Sequence, residues 1–397
     1  MGLRIEPNTR YGLVLEGGGA KGAYHIGVWK ALRELNIPIQ GVTGTSVGAL
    51  NGALICMDAF EEALNIWENI TYSQIMDVKD DMIESIRKAD IKTINFIEVL
   101  KDIRKFIFNG GIDISPLKQL IKELLDEELI RQSTKDFGLV TVSVSDLKPL
   151  EIFLEDIPKG QLIDFLIASS YFPFFKKEKI NGKRFIDGGF RNNLPVNMLI
   201  DKGYNNIIVV RIYGIGIEKR VKIDDKTNII EIAPTEDLGG LLEFSQDKSK
   251  YNIKLGYFDT LKIIKGLEGN KYYINMVNDE KYYLQKLINL SDNTKNSLRN
   301  MLNTDLFFNR GLFEYIIPNI AKRIDINIKR NWDYKDFIIH LLEYVALRLR
   351  IDRFKVYTDT ELIEIIKQLT KQYENKINEN FRPNKLRDIL LQLVNEL

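Results

Sequence analysis

Two glycine-rich turns, each set between a short apolar run and a helix-like segment, limit what this chain can fold into. Tyr11-Gly12-Leu13-Val14-Leu15 leads into Gly17-Gly18-Gly19-Ala20-Lys21-Gly22, and residues 37–42 lead into Gly44-Thr45-Ser46-Val47-Gly48. A strand-length apolar run that passes through glycines into a helix is a βα unit, and such units stack their strands in parallel. The alternation continues to about residue 213. Further strands are predicted over 137–144, 151–154 and 206–212, and helices over 23–35, 47–57 and 161–170. The expected fold is α/β, with a mainly parallel central sheet flanked by helices. Residues 280–397 turn to helical periodicity rich in Lys, Asn, Ile and Leu. The sheet domain is therefore predicted over 8–215, and 216–397 as the tail of that core plus a mostly helical accessory region. Residues 60–130 form a helical excursion, in which Ser115-Pro116 reads as an N-cap with proline at the first helical position.

The turns also suggest chemistry. A serine between two glycines at the head of a helix can stand on a strained elbow, because glycine relieves the crowding there. Ser46, flanked by Gly44 and Gly48, is the candidate nucleophile. The loop from Gly17 to Gly22 also satisfies the dinucleotide spacing, but that motif needs a carboxylate about 20 residues on. Residues 37–44 contain none and run into the serine elbow instead. A phosphate-binding P-loop fails as well, since Gly22 follows Lys21. The glycines then read as N–H donors for an oxyanion, reinforced by the dipole of the helix behind them.

The chain has two histidines, and both sit in apolar helical contexts, His25 after the glycine loop and His340 in the distal region. Neither suits a Ser-His-Asp triad. The remaining candidate base is Asp187, which follows a strand-like run and precedes Gly188-Gly189, so that backbone can approach its carboxylate closely. An aspartate needs partial desolvation and direct contact to take a serine proton. Such a pair suits esters better than amides.

Gly17 to Gly22, Gly44 to Gly48 and Asp187-Gly188-Gly189 together resemble the patatin-like phospholipase family. Ala168-Ser169-Ser170-Tyr171-Phe172-Pro173-Phe174-Phe175 and Asn192-Asn193-Leu194-Pro195 resemble two further segments of it, and residues 238–260 resemble the tail seen in bacterial members. The resemblance implies a three-layer core and hydrolysis of lipid acyl esters, by a phospholipase A or lysophospholipase, without metal or cofactor. It implies Ser46 as nucleophile, Asp187 as base and Gly17, Gly18 and Gly19 as the oxyanion hole. Lys21 fills the family's basic position, facing a lipid phosphate or a neighbouring carboxylate. The alternatives are a hydrolase of neutral lipids or soluble esters, or a non-catalytic lipid-binding or regulatory protein.

A net charge of +1 argues against nucleic acid as an obligate partner. The single cysteine, Cys56, excludes an internal disulfide and reads as a core residue. The first residues lack the apolar core of a signal peptide, Glu6 stands where a myristoylation site wants Ser or Thr, and no window would span a bilayer. The expected location is cytoplasmic, with room for peripheral membrane contact. Tyr171, Phe172, Phe174 and Phe175 are candidates for an acyl pocket, a bilayer surface or plain core. The basic, aromatic stretch with Lys101, Arg104, Lys105, Phe106 and Phe108 is a candidate interfacial lid.

Overall fold

The computed structural model describes residues 9–77, 111–143, 148–172, 175–176, 182, 184–302, 308–324, 326, 332–374 and 385–397. The stretch read as a lid, from Lys101 to Phe108, lies outside the described residues, as do Pro173 and Phe174. Two compact units divide at Ile263/Ile264.

The first unit is built on a seven-stranded sheet. Its strands are β1 (Tyr11–Leu15), β2 (Ile39–Thr45), β3 (Asp136–Ser143), β4 (Lys148–Phe153), β5 (Phe185–Asp187), β6 (Asn206–Val210) and β7 (Asn228–Ile232). Their order is β4-β3-β2-β1-β6-β7, with β5 also on β3. The pairs β1–β2, β1–β6, β2–β3 and β6–β7 are parallel; β4 and β5 run antiparallel to β3. Every residue of β1 is buried, as a strand covered on both faces requires. The sheet thus runs past residue 215, since β7 joins it.

The helices that position the site are α1 (Ala23–Glu34), α2 (Val47–Cys56), α3 (Phe60–Glu68), α4 (Ser115–Leu124), α5 (Leu162–Ser169) and α6 (Gln246–Lys265). In α2 all but Leu50 is buried, so it has no polar face to speak of. Ser115 is the first residue of α4 rather than its cap. Asp113 Oδ1 accepts the Ser115 N–H at 2.8 Å, because a carboxylate two residues back reaches the amide and Ser115 itself does not. Helices α1 and α6 touch through paired glycines. A Cβ on Gly27 would lie 1.9 Å from the Ile253 carbonyl oxygen, and one on Gly256 would lie 2.2 Å from that of Tyr24. Backbone cannot withdraw as a side chain can, so Gly27→Ala is expected to cost about 3 kcal/mol or more. A lowered midpoint of urea unfolding at unchanged slope would register it.

The second unit is mostly helical. Tyr283, Leu287, Phe337, Leu341, Leu342, Ile366 and Leu390 belong to its buried core, with a two-stranded parallel sheet of Tyr273–Asn275 and Val356–Thr358 at hand. One oxygen of the buried Glu343 carboxylate accepts the successive amides of Asn270 (2.6 Å), Lys271 (2.5 Å) and Tyr272 (2.8 Å), fixing the turn before that sheet.

Candidate active site

The register of β3 brings two distant side chains together. Thr45, the last residue of β2, stands opposite Val140, and Asp187, the last residue of β5, stands opposite Thr141. Strand β4 takes up one edge of β3 from Gly138 to Ser143. Strands β2 and β5 therefore share the other edge and point at each other tip to tip. Ser46 follows Thr45, so its hydroxyl meets the Asp187 carboxyl at that junction.

Ser46 has φ 54 and ψ −125, a left-handed conformation that a side chain rarely adopts. Strain of this kind costs about 1–3 kcal/mol and survives only where its surroundings enforce it. Here they do. A Cβ on Gly44 would lie 2.3 Å from the Gly48 carbonyl carbon, and one on Gly48 would lie 2.2 Å from the Leu15 carbonyl oxygen, so both positions demand glycine. The Ser46 N–H donates to Ser169 Oγ at 2.9 Å, and that hydroxyl donates to the Val140 carbonyl at 2.7 Å. Thr45 Oγ1 donates to the Asn192 carbonyl at 2.8 Å, tying the elbow to the segment after Asp187. Helix α2 begins at Val47, so its positive dipole end lies at the serine.

Asp187 is only 1% exposed and Ser46 4%. Burial pushes the Asp187 carboxyl up to about 7, against the pull of the Ser46 hydroxyl and the Gly189 N–H. Its Oδ1 accepts that N–H at 2.7 Å. Its Oδ2 has no donor in good hydrogen-bond geometry among the described residues, though the Ser46 hydroxyl is near enough to lower the carboxyl's proton affinity. Such bonds are often poorly aligned until substrate arrives. A Cβ on Gly188 would lie 2.2 Å from the Val140 carbonyl oxygen, the close approach expected beside Asp187.

The glycine loop crosses the same junction. Gly19 has φ 54, and a Cβ there would lie 2.2 Å from the Leu241 carbonyl oxygen. The Gly17 N–H is already engaged, donating to the Asn193 carbonyl at 3.2 Å. The N–H groups of Gly18 and Gly19 meet no acceptor among the described residues. Asn193 Nδ2 returns a bond to the Gly17 carbonyl at 3.1 Å. Lys21 Nζ donates to the Tyr213 carbonyl at 2.8 Å; burial lowers its proton affinity, against the pull of the Asp237 and Glu16 carboxylates. Gly22 lets α2 close in, since a Cβ there would lie 2.4 Å from Val47 Cγ2.

Glu16 was not singled out from the sequence. It follows β1 directly, in full burial, and its Oε2 accepts the N–H groups of Ile212 (2.6 Å) and Tyr213 (2.9 Å). Burial pushes its carboxyl up to about 7. An acid fused to a wholly apolar strand was the available signal, for a buried carboxylate must find donors. Ser169 was likewise visible only as part of a family segment.

An apolar cavity of about 840 Å³, counting the part open to solvent, begins at Ser46 and Gly19. Leu117, Leu120, Ile121 and Leu124 from one face of α4 line it, opposite Phe172, Phe175 and Phe244. Of the aromatics held in view, Phe172 and Phe175 are thus wall residues. The helical stripe of the excursion faces a cavity rather than solid core. Beyond Ser46, its polar lining comes from Asn51, Trp67 and Ser170, with Trp67 Nε1 donating to Asn51 Oδ1 at 3.0 Å.

The histidines stand apart from this site. Burial lowers His25 to about 3, leaving it neutral, with Asn51 Nδ2 at 3.3 Å from its Nδ1. His340 lies in the second unit, with Nδ1 2.8 Å from the Asp336 carbonyl oxygen. Cys56 is buried, and burial pushes its thiol up to about 12.

The chain is similar in sequence to known proteins. A model of the patatin-like phospholipase family matches residues 13–200. Neuropathy target esterase sws of Drosophila melanogaster is 29% identical over 212 residues, 50% of this chain and 12% of that protein. Its counterpart in Drosophila sechellia is 62% identical over 47 residues, 12% of this chain and 3% of that one. Patatin-like phospholipase domain-containing protein 7 of Rattus norvegicus is 26% identical over 207 residues, 52% of this chain and 14% of that one. The chain thus spans only a small part of these relatives' length. Among solved structures, VipD from Legionella pneumophila aligns over 97% of this chain and 90% of that chain at 14% identity, with a TM-score of 0.41. Residues 13–200 of the chain thus carry a patatin-like phospholipase domain.

Proposed function

We propose that this chain is a phospholipase A or lysophospholipase in which Ser46 is the nucleophile and Asp187 the base. The observation that carries this reading is the shared edge of β3, which sets a strained serine against a buried carboxyl beside an apolar cavity. Ser46 Oγ attacks the acyl carbonyl as Asp187 takes its proton, and the carbonyl oxygen becomes an oxyanion. The amides of Gly18 and Gly19, with the N-terminus of α2, stabilise that charge; Gly17 anchors the loop through Asn193. The intermediate collapses by expelling the alcohol, which leaves with the proton held by Asp187. Water, giving its proton to the same carboxylate, then releases the acid and restores Ser46.

Ser46→Ala is expected to abolish covalent labelling by a fluorophosphonate and hydrolysis of phospholipid, whereas chelating calcium leaves both intact. Labelling that survives in Ser46→Ala would remove the serine from this role. A mass-spectrometric lipid panel with Asp187→Asn alongside assigns the substrate.

Asp187 must be ionised to act, and its carboxyl titrates near 7. Below that pH, kcat/KM on a soluble ester is expected to fall about tenfold per unit, and above it to level off. A flat profile across this range would exclude Asp187 as the base. Among the described residues no helix is long and apolar enough to cross a membrane, so the proposed membrane contact is peripheral.

A further inference from the structure

A surface beside the site bears features that the hydrolytic chemistry leaves unexplained. Residues 212–223 form a strap over the glycine loop and the turn after Asp187. A Cβ on Gly214 would lie 1.7 Å from the Gly17 carbonyl oxygen. The Ile217 N–H donates to the Gly189 carbonyl at 2.8 Å, and the Ile217 carbonyl accepts the Asn193 N–H at 2.7 Å. Further along, Asn197 Nδ2 donates to the Arg220 carbonyl at 3.0 Å and Asn197 Oδ1 accepts the Lys222 N–H at 3.0 Å. Val221 packs against the cluster of Val14, Leu194, Val196 and Leu199.

The strap's backbone is therefore fixed, yet three of its large apolar side chains face water. Tyr213 is 55% exposed, Ile217 50% and Ile223 63%. Among the described residues of the first unit only Leu129 joins them as an exposed large apolar side chain. Three of four on one short segment is a concentration, not the usual scatter of single residues. Arg220 and Lys222, both exposed, flank Ile223. Lys219 pairs with Glu151 and Glu218 with Arg211, and past Ile223 Asp224 accepts the Lys226 backbone N–H and the Thr227 hydroxyl, with Asp225 and Lys226 exposed beside it.

We propose that this strap is the docking surface for a lipid bilayer carrying anionic headgroups. The inference rests on the lipid-hydrolase reading, because an acyl chain bound for the cavity at Ser46 has to be drawn from such a bilayer. Apolar side chains on a fixed support gain by entering the acyl boundary, while neighbouring cations meet the negative headgroups. A rigid strap laid against the glycine loop holds the bilayer beside the site.

The test uses the full chain carrying Ser46→Ala, so that vesicles stay intact, and co-sedimentation with phosphatidylcholine vesicles holding one phosphatidylserine in about five lipids. Ile217→Ser/Ile223→Ser is expected to weaken binding about tenfold or more. Arg220→Glu/Lys222→Glu should do the same on these vesicles but change little on pure phosphatidylcholine. With Ser46 restored, both pairs should hydrolyse a water-soluble short-chain ester within about twofold of the unsubstituted chain, and vesicle lipid in proportion to binding. Binding by both pairs equal to that of the unsubstituted chain would overturn the proposal, as would absence of vesicle binding by the unsubstituted chain. Failure of the unsubstituted chain to hydrolyse any ester would instead overturn the lipid-hydrolase reading, which vesicle binding does not test.

Discussion

Asp187→Asn is expected to lower ester hydrolysis about 1,000-fold or more and, at pH 8, to make the fold more stable. The amide oxygen can keep the Gly189 N–H that Oδ1 now accepts, so the geometry of the turn survives. What is lost is the ability to take a proton. The stability gain follows from the raised proton affinity. A carboxyl that titrates near 4 in the unfolded chain and near 7 in the fold binds its proton more tightly when folded. Its contribution to stability is therefore complete below about pH 4 and is lost as pH rises through about 7. Above that, holding Asp187 ionised in burial costs up to roughly 4 kcal/mol, which a neutral amide avoids. Thermal unfolding at pH 5 and pH 8 would read this directly: Asp187→Asn should gain at pH 8 and gain much less at pH 5. An equal or lower midpoint at pH 8 would show that the carboxylate is not strained by its surroundings. Glu16, raised to about 7 by the same burial, adds a decline of the same sign, which the substitution at Asp187 leaves in place.

Gly48→Ala is expected to damage the fold and the serine elbow together. The added methyl would sit 2.2 Å from the Leu15 carbonyl oxygen and 2.9 Å from that of Glu16, both backbone atoms at the end of β1. Relief requires α2 to move off β1, and α2 carries Ser46 at its head. The cost exceeds the 1–3 kcal/mol of ordinary overpacking because the obstacle is main chain. The variant should be recovered mostly unfolded, or folded without reactivity toward a fluorophosphonate. Ala49→Gly, next to it, adds no atom and serves as the control; it should stay folded and reactive. A folded, fully reactive Gly48→Ala would refute the close packing of elbow and strand.

Much of this was legible in the sequence, and what was not has a common cause. Apolar runs ending in glycine turns gave away β1 and β2, since local chemistry decides such units. The mostly parallel sheet follows from their repetition. The edge of β3 that receives Phe185–Asp187 was not readable, because it depends on which edge β4 leaves vacant. Asp187 was picked by elimination among bases, whereas its approach to Ser46 is a matter of register. Gly17 differs from Gly18 and Gly19 only through the Asn193 carbonyl, a partner far along the chain. The Lys21 bond to the Tyr213 carbonyl is equally non-local. In α4, the spacing of Leu117, Leu120, Ile121 and Leu124 reveals a face but not whether that face meets side chains or empty space.

If the proposed mechanism holds, the junction on β3 also sets when hydrolysis can begin during synthesis. A nascent polypeptide that has emerged only through β3 and α5 already carries Ser46, yet the carboxylate proposed to deprotonate it is still inside the ribosome. On that mechanism, reactivity toward lipid would arrive only when β5 pairs with the remaining edge of β3, so a product ending before that point would be inert toward membranes.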